Sequence, residues 1–410
     1  MFFSPHIFFG QRFRAIARFA QIASKFDIFD FIVIIGIFFF LPFHIYSVFS
    51  LNDLLLLFFA FVIIPIGSRQ CKCFYFAKEH ILILFFALWA FVMYMLHSSN
   101  EGGAFICWSM YLMPCILFLS FSQLIYYEKS ESALEKGWIL WGLLLAIQLL
   151  YSIYFSQMYL LDLHYKANLS WARSNYIAAM LETPIIWCYH RIHQKNTKRT
   201  AAFIAFIICT VALFLTVSRG GILTIVLSLL MYSLLKRKLS FLFYFAILVA
   251  YFFPRISSRF LEFFDTGNVS RMYLWLQSAE LLLKKPVLGY GPGDVNLYEN
   301  IFTTTEMATD PHNFILTILL HTGVIGFIIF AALVVMFCHR ALILYKKKRN
   351  PFFIVVLFAA FFHGMVEPTF LGYSYSFIFW YCMVMLLIQS EHAKREHHGG
   401  PMQKMDGLHS

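Results

Sequence analysis

Apolar runs of about 15–25 residues recur along almost the whole of this 410-residue chain, and they decide what it can fold into. Runs of that length span a hydrocarbon layer about 30 Å thick when helical, because inside lipid each segment must satisfy its own backbone N–H and C=O groups. An outer-membrane barrel would instead show short stretches of alternating polarity, which the 50 Phe residues in unbroken runs do not form. Only 13% of the residues are charged and the mean hydropathy is +0.72. A soluble domain carries about 25% charged residues. The chain therefore reads as an all-α polytopic membrane protein.

Twelve spans are expected, near 29–49, 52–67, 80–96, 104–125, 138–156, 174–190, 200–217, 220–235, 240–253, 313–337, 352–367 and 373–389. The ninth is short. Arg12, Arg14, Arg18 and Lys25 precede the first span, which has no small-residue cleavage site, so no cleavable signal peptide is expected. No internal repeat of the kind that builds inverted-repeat transporters is visible.

Lys and Arg orient the bundle. With the N-terminus cytoplasmic, 24 of the 32 basic residues fall on the cytoplasmic side, in short loops and both tails. The other side receives Lys166, Arg173, Arg219, Arg255, Arg259, Arg271, Lys284 and Lys285. Both termini are then cytoplasmic. The segments are a cytoplasmic lead (1–28), spans one to nine (29–253), one long extracytoplasmic loop (254–311), spans ten to twelve (312–389) and a cytoplasmic tail (390–410). The formal charge of +11 holds topology and does not signal nucleic acid. Eight scattered cysteines, with one C-x-C at Cys71 and Cys73, mark neither a disulfide framework nor a zinc site.

Chemistry concentrates on the outer side. Arg219 stands in "LFLTVSRGGILTIVL". It is either a snorkelling residue at a span end or an anion-binding Arg at the mouth of the bundle. The stretch "SRMYLWLQSAELLLKK" (270–285) reads as a surface helix, capped by Ser270, with Leu274, Trp275, Leu281 and Leu282 as its apolar face. Arg271 opens it, and a guanidinium fork suits phosphate. "KKPVLGYGPGDVN" (284–296) holds Gly289, Gly291 and Gly293, but no strand precedes it and no G-K-[ST] follows. It therefore reads as a tight turn whose amides could line a site, and not as a nucleotide loop.

In "TDPHNFILTILLHTGVIG", Asp310 is expected to cap a helix that begins at Pro311, with His312 and Asn313 in its first turn. Taken alone, that pair is either a polar interface cap or a base beside a helix end that attracts anions. Arg173 and Asn175 open the sixth span from the same side. Glu182 and Glu367 read as buried or interfacial carboxylates, and His321, His339 and His363 as packed histidines. No metal-ligand spacing is present on the outer side, and no cofactor is expected.

S-R-G-G (218–221), R-x-x-x-W (Arg271, Trp275), P-x-x-G-x-G-x-G (286–293), then H-N-x-x-L (312–316) and G-x-x-G (323–326) follow one another on one side of the membrane. This order resembles the O-antigen ligase and polymerase superfamily. The motifs cover about 210–330, and the span count and long loop extend the likeness along the chain. One departure is His321, which stands where members often carry Glu.

The resemblance implies a GT-C-like fold in the bacterial inner membrane. It implies metal-independent, inverting glycosyl transfer on the periplasmic side from an undecaprenyl diphosphate-linked glycan donor. His312, Arg219 and Arg271 would then be catalytic, with Asn313, Arg173, Asn175, Trp275, Gly291 and Gly293 binding substrate. The leading expectation is an O-antigen ligase, with lipid A-core as acceptor and membrane lipids around the chain. Polymerases and protein O-oligosaccharyltransferases share the donor and differ in the acceptor. A lipid-linked glycan flippase would want charged groups through the bundle, whereas here the notable polar residues gather at its outer end.

Overall fold

A computed structural model describes residues 76–97, 101–127, 131–156, 167–169, 173–194, 199–237, 268–293, 311–371 and 373–397. The expected spans near 29–49, 52–67 and 240–253, and the loop residues 254–267 and 294–310, lie outside the described residues. Within the described residues the architecture is helical. The first helices are α1 (Lys78–His97) and α2 (Glu101–Cys107), followed by a π-helical turn (Trp108–Leu112) that leads into α3 (Met113–Tyr127). Next come α4 (Glu131–Ser156), α5 (Ser174–Ile192), α6 (Arg199–Leu215) and α7 (Arg219–Lys236). The last are α8 (Asn268–Lys284), α9 (Phe314–Lys348), α10 (Phe352–Gly364), a 3-10 turn (Thr369–Leu371) and α11 (Tyr373–His397).

Lys78–His97, Gly103–Ser122, Arg219–Lys236 and Phe314–Lys348 are long and apolar enough to cross a membrane, and three further apolar helices are shorter. The protein is a multi-pass membrane protein. Its outward faces agree, since Phe85, Leu88 and Met95 on α1 and Ile328 and Val335 on α9 are exposed large hydrophobics. Such faces belong in lipid, where helix association rests on packing and not on hiding apolar surface.

α5 is the central post, with every residue from Ile177 to His190 buried. It packs on α4, α6, α7, α10 and α11. Close approach needs small residues. A Cβ on Gly142 of α4 would lie 2.7 Å from Pro184 Cβ, and one on Gly221 of α7 would lie 2.5 Å from Ala178 Cβ.

α9 is longer than the expected span and is kinked at Gly323, whose φ of 63° is left-handed. A kink frees helix carbonyls, which need partners. The glycine loop supplies them. Tyr290 N donates to Leu320 O at 2.7 Å and Gly291 N to His321 O at 3.1 Å, while Val324 N donates to Pro286 O at 2.9 Å. Trp89 Nε1 donates to Thr322 O at 2.8 Å. The backbones meet so closely that a Cβ on Gly323 would lie 2.0 Å from Val287 O.

α8 begins two residues before the expected Ser270 cap. Its apolar face is the expected one: Leu274 packs with Tyr290 and Leu320, flanked by Trp275, Leu281 and Leu282.

Gly323→Ala is expected to lower stability by about 2 kcal/mol or more, because it combines a disfavoured φ with a backbone clash. Thermal unfolding in detergent checks this. A midpoint equal to wild type would contradict the docking.

Candidate active site

Four helix termini converge at one end of the bundle. They are the starts of α5, α7 and α9 and the end of α10 with the turn that follows it. The chain bends sharply at two of these points. Val217 has φ 50° and His312 has φ 52°. A β-branched residue in that region is strained, and strain of this kind persists only where surrounding contacts impose it.

Around Val217 those contacts are explicit. Thr216 Oγ1 accepts from Ser218 N at 3.2 Å. Ser218 Oγ caps α7 by accepting from Gly221 N at 3.3 Å, and it donates to Asn175 Oδ1 at 2.9 Å. Arg219 is therefore the first residue of α7, part-buried at the site.

His312 does not lie in a first helical turn led by Asp310 and Pro311. Asn313 is the cap, its Oδ1 accepting from Ile315 N at 3.0 Å and Leu316 N at 3.3 Å. Asn is among the best capping residues, and a left-handed His312 cannot belong to the helix. Asp310 lies outside the described residues. Asn313 Nδ2 also donates to Met365 O at 3.2 Å, and Trp275 Nε1 donates to Pro311 O at 2.9 Å. The indole of α8 and the turn after α10 thus hold the two residues that flank His312.

The imidazole meets Glu367. His312 Nδ1 lies 3.0 Å from Glu367 Oε1. Asn175 Nδ2 donates to Glu367 Oε2 at 3.2 Å, and Arg271 Nη2 lies 3.9 Å from the same oxygen. The Glu367 side chain is 8% exposed, while those of His312 and Arg271 are each 33% exposed. Burial raises the Glu367 carboxyl pKa, but the His312 hydrogen bond and charge, the Arg271 charge and the Asn175 amide outweigh it and hold the group below its ordinary value. An ionised carboxylate only accepts, so Nδ1 carries a proton toward Glu367 and Nε2 is the nitrogen left to exchange one.

His312, Arg271 and Asn175 are thus brought together on one carboxylate, with Trp275 and Asn313 holding the flanks. Arg173 is exposed and immediately precedes α5. Gly291 and Gly293 are buried, and the Gly291 amide is taken by His321 O. In the sequence alone Glu367 reads as a buried or interfacial carboxylate with no assigned partner. Its signal is a carboxylate directly before Pro368 in the turn between two late spans, on the side assigned to His312. His321, the departure from the motif, bonds Tyr111 Oη at 2.8 Å through Nδ1.

Residues 204–331 match the family model O-Antigen ligase, so this part of the chain carries that family's domain. The matched segment includes Arg219, Arg271 and His312, whereas Asn175 and Glu367 come from outside it. No curated protein gives a significant match to the chain.

The lowered Glu367 pKa fixes the sign of a pH dependence. Its contacts stabilise the fold above the ordinary carboxylate range, and that stability is lost as pH falls through the lowered folded value. Unfolding midpoints measured from neutral to acidic pH should fall in wild type and fall less in Glu367→Gln. Parallel curves would remove Glu367 as a source of the loss.

Proposed function

We propose that the chain is an O-antigen ligase, moving glycan from undecaprenyl diphosphate to lipid A-core on the periplasmic face of the bacterial inner membrane. One observation carries the reading: His312 and Arg271 of the matched domain meet one buried carboxylate, Glu367, which comes from outside it. Enzymes of this family transfer polyprenyl-linked glycans across the membrane's outer surface, and the outward side follows from the distribution of Lys and Arg.

The geometry supports the following chemistry. With Nδ1–H directed at Glu367, His312 Nε2 is the base that takes the proton of the acceptor hydroxyl. The oxygen of that hydroxyl attacks the anomeric carbon, and the bond to the diphosphate breaks on the opposite face, so the configuration inverts. Negative charge grows on the leaving diphosphate. Arg271 and Arg219 supply forked donors that cannot deprotonate at this point of charge development. The donor already carries its leaving group, so the step needs no nucleotide. Helix starts at α5, α7 and α9 direct their positive ends toward the same region and favour an anion there.

His312→Ala should lower transfer from a lipid-linked glycan to lipid A-core by about 100-fold or more, with membrane insertion intact. Arg271→Lys and Arg219→Lys should each lower it as well, because a point charge does not replace a fork. Reconstituted transfer assays check both. Wild-type turnover in His312→Ala would remove it as the base, and wild-type turnover in both Lys variants would make the arginines interface residues. Offering a second lipid-linked repeat as acceptor separates ligase from polymerase.

A further inference from the structure

Below the site, deeper in the bundle, a hydrogen-bonded His–Glu pair is fully enclosed. His363 Nδ1 lies 2.5 Å from Glu182 Oε1, and the two side chains are 1% and 0% exposed. Among the described residues Glu182 Oε2 is buried with no hydrogen-bond partner. Replacing such a pair with apolar residues of similar size is often neutral or stabilising, so stability alone does not account for it.

Its location supplies a role. Glu182 lies on α5 seven residues after Asn175, two helical turns along the same face. His363 lies on α10 four residues before Glu367, and Glu367 N donates to His363 O at 2.9 Å. The same two segments are therefore tied twice, by Asn175–Glu367 at 3.2 Å and by Glu182–His363 below it. A third element rests on the lower tie. A Cβ on Gly220 would lie 3.4 Å from His363 Nε2 and 3.0 Å from Val366 Cγ2, so the first turn of α7, which begins with Arg219, sits against this pair.

We propose that Glu182 and His363 are positioning residues for glycan transfer: their hydrogen bond sets the register of α10 on α5, and thereby the placement of Glu367 behind His312 and of Arg219 beside it. The pair touches no reacting atom. Its removal leaves donor affinity in place and lowers turnover, because a carboxylate displaced by about 1 Å costs a precisely oriented base up to about 100-fold. The inference rests on the glycan-transfer reading of the His312 site.

The test uses the full-length protein reconstituted with a lipid-linked glycan and lipid A-core. Its variants are Glu182→Ala, Glu182→Gln and the double Glu182→Leu/His363→Leu. Gln pairs with His363 in either tautomer, so Glu182→Gln should keep turnover close to wild type. Glu182→Ala and the double Leu variant should keep the donor KM and lose kcat by about 10- to 100-fold. Wild-type kcat in the double Leu variant would overturn the proposal. So would equal losses in Gln and Ala, or failure of Ala and the double variant alike to insert, which would make the pair a folding element. If His312→Ala is inactive while the double Leu variant is fully active, only this inference fails. If the wild-type protein itself transfers no glycan, the transfer reading fails.

Discussion

An ionised carboxylate taken out of water must be met by donors, and Glu367 is met from three separate parts of the chain. His312 comes from the lead into α9, Arg271 from α8 and Asn175 from α5. Removing one member of such a buried set leaves an uncompensated charge, at a cost of about 3–5 kcal/mol. The geometry around the histidine depends on this one group. Its position sets which imidazole nitrogen carries the proton and which side of the ring faces outward.

The rest of the bundle keeps that carboxylate in place. α5 is buried along its length and provides a fixed post against which α7 and α10 end or begin. The kink at Gly323 and the loop 284–293 bind each other backbone to backbone, which fixes α8, and with it Arg271 and Trp275, relative to the start of α9. The two strained residues, Val217 and His312, are the points where the chain turns from loop into helix at the site. Packing thus holds two residues at the site, one of them His312, in unfavourable backbone conformations.

Much of the frame was legible in the sequence, for a physical reason: lipid demands long apolar helices, and their lengths are countable. α1 and α5 lie within a few residues of the expected spans near 80–96 and 174–190, whereas α4 begins at Glu131, ahead of the span expected near 138–156. The apolar face of α8 also agreed. Arg219 and the His–Asn pair stood out as polar groups at apolar span ends, and Arg271 and Trp275 as members of a surface helix. The start of α9 was misjudged because Asp310 and Asn313 are both good caps, and local propensity does not choose between them. Bonds from Trp275 to Pro311 and from Glu367 to His312 make that choice from distant parts of the chain. Glu367 had no visible partner because 55 residues separate it from His312. The glycine loop 284–293 reads in the sequence as a turn by itself, since its backbone pairing with the segment around Gly323 leaves no trace beyond the missing side chains.

The central claim is that the His312 imidazole takes the acceptor's proton. Chemical rescue tests it most directly, in full-length His312→Gly protein reconstituted with a lipid-linked glycan and lipid A-core. Added imidazole should restore transfer in a concentration-dependent way while leaving wild type unchanged. Transfer by the Gly variant at the wild-type rate without imidazole would contradict the account. So would a variant that still binds donor and stays inactive at every imidazole concentration.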